Sequence, residues 1–371
     1  MKVHFCIDAR MVNNSGIGVY LRQYIQYILE SAIYDVTLLG RGSELNTYFN
    51  AYEWRHVEAN FPIYTIQEQV KLPLLIPDCD IFWSPHYNIP LMPIRARKHL
   101  ATIPDLFHLA YYNTLGISQK IYAKVVANAA VRKPDLLTTI SYFSKKEIVR
   151  LTGATDSKIK VIHLGINKRL FRRIDDQTVI SRVREDYQLP EQYILFVGNV
   201  KPNKNLRSLV EAFSMLIERT PNLYLMIVGK KEGFITSDSG LFSYIDSNKS
   251  LSERIRFTGF VLTEDLPVIY SLATVFAFPS IYEGFGFPPL EAMACGCPVI
   301  ASESSSIPEI CGDAAYYVNP LNIESIAEGL HTVITNESLK NQLIQKGFEQ
   351  CSHYSWVESS QQFINVVNEL V

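Results

Sequence analysis

Residues 280–302 read SIYEGFGFPPLEAMACGCPVIAS, with two glutamates, Glu283 and Glu291, set around a Gly-Phe-Gly-Phe-Pro-Pro turn. Gly284 and Gly286 permit backbone geometries that a Cβ resists, so the turn can bring main-chain N–H groups close to a ligand. Pro288 and Pro289 suit the first turn of a helix, where no internal N–H partner is lost, and residues 290–294 are good helix formers. The apolar runs at 275–278 and 298–301 read as strands. The segment is therefore strand, loop, helix and strand, the unit from which parallel sheets with crossover helices are built. A helix N-terminus attracts phosphate, and Glu291 on its first turn faces the same place. A carboxylate repels phosphate and pairs instead with hydroxyls of a ribose or a sugar. Together these point to a nucleotide sugar. Taken alone, the pair also fits a reading in which both glutamates are exposed or capping residues and the glycines only make a turn.

The same alternation runs through the chain. Strand-like runs fall at 3–7, 36–39, 80–83, 100–103, 136–140 and 159–163, with helical stretches such as 20–31 and 118–133 between them. The pattern restarts at 193–197, followed by Leu206, Leu209, Val210, Phe213, Leu216 and Ile217 at helical spacing. Further runs come at 223–228, 255–258, 275–278, 298–301 and 315–318. Residues 167–190 are charged, aperiodic and end in Pro190, which marks a linker. The predicted fold class is α/β, with two doubly wound Rossmann-like domains, 1–168 and 169–371, facing across a cleft. The last helix is free to cross back to the first domain. Ligands of such sheets sit at the carboxyl ends of strands.

Composition narrows the function classes. A length of 371 residues favours two domains, and 47% hydrophobic with 19% charged residues argues against disorder. No apolar run approaches the ~20 residues that span a bilayer. The start, MKVHFCIDAR, carries charge and a His inside its apolar stretch, which argues against a signal peptide and makes the cytoplasm the expected compartment. Six cysteines in so long a chain are no disulfide framework, and Cys295 and Cys297 lack the further ligands of a zinc site, so both read as core residues. The net charge of −2 conceals +6 over residues 1–168 (19 basic, 13 acidic) and −8 over 169–371 (16 basic, 24 acidic). Basic groups of the first half, among them Lys120, Lys124, Arg132 and Lys133, fit an anionic membrane surface, a diphosphate-linked acceptor or an ordinary solvated face. A pI near 6.5 and the lack of a recognised motif argue against nucleic acid.

Four further stretches fall where a ligand would sit. DARMVNNSGIGVY (8–20) follows the first strand, and its Gly16 and Gly18 allow close backbone approach before a helix that begins at Val19. The incomplete G-x-G-x-x-G argues against a Rossmann oxidoreductase. In FVGNVKPNKN (196–205), Gly198 permits close approach and Lys204 can neutralise a diphosphate, or is a solvated loop lysine. FTGFVLTEDL (257–266) offers Thr263 as an N-cap, leaving Phe260 and Val261 on a loop that presents backbone hydrogen bonds and an apolar face to a base. TIPDLFHL (102–109) supplies Asp105 and His108.

In this order these stretches resemble the retaining glycosyltransferases of family 4, the "group 1" glycosyl transferases of GT-B fold. TTISYFSKKEI (138–148), KIKVIHLGIN (158–167), the block 278–320 and the late YSW (354–356) extend the resemblance nearly end to end. It implies transfer of a hexose from a nucleoside diphosphate sugar to a hydroxyl of a glycan or lipid-linked glycan, with retention and without metal or other cofactor. It further implies that Glu283 sits by the donor sugar and that Glu291 holds the ribose. Gly284, Phe285 and Gly286 would bring main-chain N–H groups to sugar or diphosphate, and Lys204 would stabilise the leaving diphosphate, with Gly198 and Asn199 beside it. Gly16, with Gly18, would approach from the first domain, and Val261 would read the base.

Two departures from the pattern stand out. Asn199 and Asn203 occupy positions where many relatives carry a second basic residue, so one cationic ligand of the diphosphate is either missing or supplied by Lys201 or Arg207. Pro104 precedes Asp105 where many relatives have His, so the first-domain catalytic helper stays open, with Asp105 the candidate. Similarity to bacterial mannosyltransferases of surface-polysaccharide assembly favours GDP-mannose. The alternatives are a UDP-hexose donor and a nucleotide-sugar-binding partner without turnover. The expected location is cytoplasmic, with peripheral contact at the inner face of an anionic membrane.

Overall fold

Among the residues that the computed structural model describes (2–111, 116–229 and 239–371), the apolar runs become the strands of two parallel sheets. One compact unit comprises Met1–Gly165 and Ser355–Val371, and the other Ile166–Tyr354. The first sheet contains β1 (His4–Asp8), β2 (Asp35–Gly40), β3 (Arg55–Glu58), β4 (Cys79–Ser84), β5 (Ala96–Thr102), β6 (Leu136–Thr139) and β7 (Ile159–Val161), in the order β3-β2-β1-β4-β5-β6-β7. Phe5 of β1 registers with Val36 on one side and Ile81 on the other. Helices cover both faces of such a sheet, which is why its central strands read as unbroken apolar runs. Sequence reading missed β3, whose Arg-His-Val-Glu has no apolar run because it is a mostly exposed edge strand.

The core of the first unit is closed from the far end of the chain. Trp83 of β4 donates from Nε1 to Thr102 Oγ1 at 2.8 Å, and Phe363 of the helix Trp356–Asn368 lies 4.5 Å from the rings of both Trp83 and Tyr24. Tyr24 and Ser359 share a buried hydroxyl contact of 2.8 Å. The last helix thus folds as part of the first unit.

The second sheet contains β8 (Gln192–Val197), β9 (Leu223–Val228), β10 (Ile255–Gly259), β11 (Val275–Phe278), β12 (Val299–Ser302) and β13 (Ala315–Val318), in the order β10-β9-β8-β11-β12-β13. All six periodic residues from Leu206 to Ile217 are buried against it. The segment 167–190 is more than the linker its composition suggested. Asp176 accepts from the N–H groups of Thr178 and Val179 and opens a helix, Gln177–Asp186, that buries Ile180 and Val183. Two inward residues in a ten-residue charged helix give too little periodicity to be seen in sequence. The six cysteines are all free and buried. Among the described residues, no helix is long and apolar enough to cross a membrane.

Candidate active site

In the second unit, the loop after β11 and the loop after β8 are stitched to one another. Ile281 donates its N–H to Asn203 O at 2.8 Å, and Asn203 Nδ2 returns a bond to Tyr282 O at 3.1 Å. Ser306 Oγ donates to the carbonyls of Glu283 and Phe285 at 2.9 and 2.6 Å, and Ser305 Oγ accepts from the Glu283 N–H at 3.2 Å. Phe285 is buried and edges onto Phe287 and Tyr354. The glycine turn is therefore held by its carbonyls and its one large side chain. Gly286, at φ 132°, turns the backbone in a region that only glycine enters freely and opens the helix Phe287–Ala294 with two prolines in its first turn.

This bracing brings the two sequence-predicted charges together. Lys204 Nζ lies 2.7 Å from Glu283 Oε1, with the side chains 19% and 14% exposed, and 5.3 Å from the centre of the Phe278 ring. Each is the other's counter-ion in a half-buried setting, where Coulomb attraction is stronger than in water. The C-terminal stretch of the 3₁₀ turn Pro202–Lys204 aims the lysine, and Gly198 lies against its chain, 4.0 Å from the Lys204 side chain to where a Cβ would stand. Asn199 accepts the Lys201 N–H on its carbonyl. Arg207 pairs with Glu211 at 3.0 Å along its own helix.

Glu291 falls at the fifth position of its helix and not on the first turn, because the helix already begins at Phe287. Its Oε2 accepts from the buried Tyr270 hydroxyl at 3.0 Å. Burial pushes the Glu291 carboxyl up to about 7, with the tyrosine hydrogen bond opposing the shift. The loop after β10 carries an exposed Phe260 (72%), whereas the Val261 side chain is buried. Thr263 is not an N-cap: it lies in a turn, and the helix Leu266–Leu272 begins after Asp265, whose N–H already bonds Leu262 O. The Asp265 carboxylate is drawn instead to Arg182 at 2.5 Å and to the Tyr187 hydroxyl at 3.0 Å, and these hold it below the usual range. Tyr187 also accepts the Leu262 N–H at 3.3 Å, so the helix read as linker braces this loop.

In the first unit, Gly16 stands before the helix Ile17–Ser31 at φ 77° with open space where a Cβ would be. Gly18 lies inside that helix, since it starts at Ile17 and not at Val19, and a Cβ there would sit 2.5 Å from the Val12 carbonyl oxygen. Its smallness serves helix packing. Asp105, beyond β5, accepts the Phe107 N–H at 2.9 Å, and its charge helps to raise the Tyr20, Tyr64 and Tyr87 phenols, which burial already raises. His108 is exposed, 6.1 Å ring to ring from Tyr87.

Sequence reading missed the groups gathered around Asp105. His86 lies 3.0 Å from the Tyr64 hydroxyl through Nε2, and burial with the nearby His108 pushes it down to about 3. Tyr64 holds φ 61°, uncommon for a bulky residue, with its N–H on Glu68 Oε2 at 2.6 Å. Arg10 bridges Asp8 at 2.7 Å and Glu68 at 2.6 Å beneath them. The available signal was Ser84-Pro-His-Tyr-Asn88, a polar aromatic run directly after an apolar strand.

Comparison with known proteins bears on this site. Residues 180–350 match the family model of the glycosyl transferases group 1. The chain is 33% identical over 286 residues to O-antigen chain mannosyltransferase B of Escherichia coli, covering 77% of this chain and 73% of that protein. It is 29% identical over 233 residues to the serotype-specific mannosyltransferase WbdA of Escherichia coli, covering 62% of this chain but only 28% of that much longer relative. HepE of Anabaena, solved with UDP and glucose, superposes with a TM-score of 0.76 at 17% identity over 99% of this chain and 100% of that one, a likeness of fold.

Proposed function

The chain belongs to the glycosyl transferases of group 1 and is a glycosyltransferase of GT-B fold, and from that premise we propose that it moves mannose from GDP-mannose to a hydroxyl of a glycan or lipid-linked glycan, with retention at the anomeric carbon. The mannosyl choice is supported by the names of the relatives above. The observation that carries the reading is the Lys204–Glu283 contact at the mouth of the Gly286-opened helix.

A nucleoside diphosphate sugar offers each partner a replacement. Its diphosphate takes the Lys204 charge, and its sugar hydroxyls donate to Glu283. Glu291, higher on the helix, accepts from the ribose hydroxyls in its ionised form. As the anomeric C–O bond breaks, negative charge grows on the diphosphate beside Lys204 and the helix N-terminus, so the transition state gains more than the ground state does. A leaving phosphate oxygen takes the proton of the acceptor hydroxyl, which attacks the same face of the sugar. The lysine and the helix end supply the stabilisation that a divalent ion gives in other transferases. Asp105, with Tyr64, Tyr87 and His86 near it in the first unit, is assigned to the acceptor. A lipid-linked acceptor would bring the chain to the cytoplasmic face of a membrane.

The test is product formation with GDP-mannose, UDP-glucose and UDP-galactose in the presence of EDTA. Turnover with GDP-mannose is expected. Turnover only with a UDP-sugar would overturn the donor, a strict Mn²⁺ or Mg²⁺ requirement the account of charge stabilisation, and tight nucleotide binding without product the transferase reaction itself.

A further inference from the structure

The loops that leave β1, β2 and β3 enclose a cavity of about 220 Å³ in the first unit, where a single water needs roughly 10–15 Å³. Its walls include Met11, Asn13 and Asn14 after β1, Arg41 after β2, and Phe61 and Ile63 after β3. It therefore stands at the carboxyl ends of three parallel strands, the end at which such sheets bind ligands. Main-chain bonds set the three loops: Ala9 donates to Leu39 O at 2.8 Å, Ala59 to Gly40 O at 3.2 Å, and Asn14 closes a turn on Met11 O at 2.9 Å. Arg41 ties two of them together, donating from Nε to Asn60 Oδ1 at 2.7 Å and from Nη1 to Glu44 Oε1 at 3.2 Å. A concavity held in this way is formed before its ligand arrives.

The groups around the cavity select the ligand. Arg10 lines it and is fixed from behind, donating from Nε and Nη2 to Asp8 at 2.8 and 2.7 Å and from Nη2 to Glu68 at 2.6 Å. Nη1, on the far side of the guanidinium from Asp8, is buried with no hydrogen-bond partner among the described residues, and a buried donor left unpaired is costly. Of the two cavities that Arg10 lines, one of about 10 Å³ contains both carboxylates and the larger contains neither. Asn13 accepts the Tyr48 hydroxyl on Oδ1 at 2.9 Å, which leaves its Nδ2 to donate. Glu44 supplies acceptor oxygens, and Met11, Phe61 and Ile63 an apolar wall. The charges rule out an anion: Asp8 and Glu68 already hold Arg10, and Glu44 holds Arg41, so two cations face three carboxylates. Donors and acceptors around an apolar wall, with no positive charge to spare, match a neutral sugar, whose hydroxyls both donate and accept and whose C–H faces are apolar.

We propose that this cavity is a subsite for a neutral hexose of the acceptor glycan, the sugar one place behind the one that receives the transferred residue. Ile63 lines the cavity, and the next residue, Tyr64, belongs to the group around Asp105. Glu68, which holds Arg10, also accepts the Tyr64 N–H at 2.6 Å and the Asn88 amide at 2.5 Å. The two positions are neighbours on one edge of one sheet, as successive sugars of a chain require. The acceptor is then an oligosaccharide recognised through its sugars and not through a terminal diphosphate. That the ligand is an acceptor rests on the transferase reading; that a neutral oligosaccharide binds here does not.

The test is titration of the whole chain without donor, followed by calorimetry and by saturation transfer in NMR, with mannotriose, maltotriose and chitotriose, beside the monosaccharide of each and mannose 6-phosphate. At least one neutral trisaccharide is expected to bind about tenfold more tightly than its monosaccharide. Arg41→Gln and, separately, Asn14→Trp, which fills the cavity from an exposed position, are expected to weaken that binding about tenfold, with circular dichroism and thermal melts unchanged. In turnover the same variants should raise KM for the trisaccharide and leave kcat/KM for a monosaccharide acceptor as it was. No binding of any trisaccharide by the wild type, trisaccharide affinity no better than that of the monosaccharide, or variants that bind like the wild type would each overturn the proposal. Mannose 6-phosphate bound more tightly than every trisaccharide and lost in Arg41→Gln would overturn the neutral ligand. Trisaccharide binding that the variants lose, without product from any donor, would instead strike at the transferase reading.

Discussion

Lys204 and Glu283 hold each other in the free chain, so removing one leaves the other's charge half-buried without a partner. Lys204→Ala is expected to lower stability by about 1–3 kcal/mol, the cost of stranding a charged hydrogen-bonding group. The double variant with Glu283→Ala should melt above Lys204→Ala alone, and melts of the four proteins read the coupling. In turnover the lysine variant should lose at least ~2 kcal/mol of transition-state stabilisation. Glu291 sets a pH dependence. Its folded pKa, about 7, lies above the ordinary 4.5, so the folded chain keeps a proton that the unfolded chain releases between these values. Its contribution to stability is fully present below 4.5 and is lost as pH rises to about 7. The proposed ribose role predicts the opposite trend for binding: nucleotide affinity should climb by up to about tenfold per pH unit towards 7 and level off above it. Glu291→Gln should flatten the part of the profile that belongs to this group. Identical titration profiles for the two proteins would remove Glu291 from the ribose site.

At the scale of elements, the helix Gln177–Asp186 and the loop after β10 act as one piece. Tyr187 links them through Leu262 N–H and the Asp265 carboxylate, which Arg182 also holds. Tyr187→Phe is expected to weaken nucleotide binding by several-fold while moving Tm little, because the loop loses a tether and no core is opened. An unchanged Kd in isothermal titration would separate the loop from the base. This piece also shows what sequence can disclose. Twelve of the strands were legible from their apolar residues, and β3 was not because its Arg-His-Val-Glu carries a single apolar residue on a mostly exposed edge. Lys204 and Glu283 stood out in sequence because glycines, prolines and charges crowd two separate turns, and the structure brings these two side chains into contact. Thr263 was misread as a cap because nothing local reveals that Asp265 would be captured from 83 residues away by Arg182. His86 and Tyr64 were missed for the same reason: their contact spans 22 residues and two loops.

Over the whole molecule, each unit has its own sheet and its own core, and the sequence returns at its end to complete the first. Phe363 fills the space between Tyr24 and Trp83, contacts that span more than 270 residues of chain, so the first unit cannot close until the last helix is made. The nucleotide-site candidates Lys204, Glu283 and Glu291 all lie in the second unit. Perturbation of each unit should therefore be readable separately. Phe363→Ala removes a fully buried ring and is expected to cost the first unit about 3–5 kcal/mol. On the proposed reading, a nucleoside diphosphate would bind only the folded second unit and raise its stability by mass action. Calorimetry of the intact chain is expected to resolve two transitions, one lowered by Phe363→Ala and the other raised by GDP. A single transition that both treatments shift together would mean that the units unfold as one, and that nucleotide binding in the second unit is energetically coupled to the ring that closes the first.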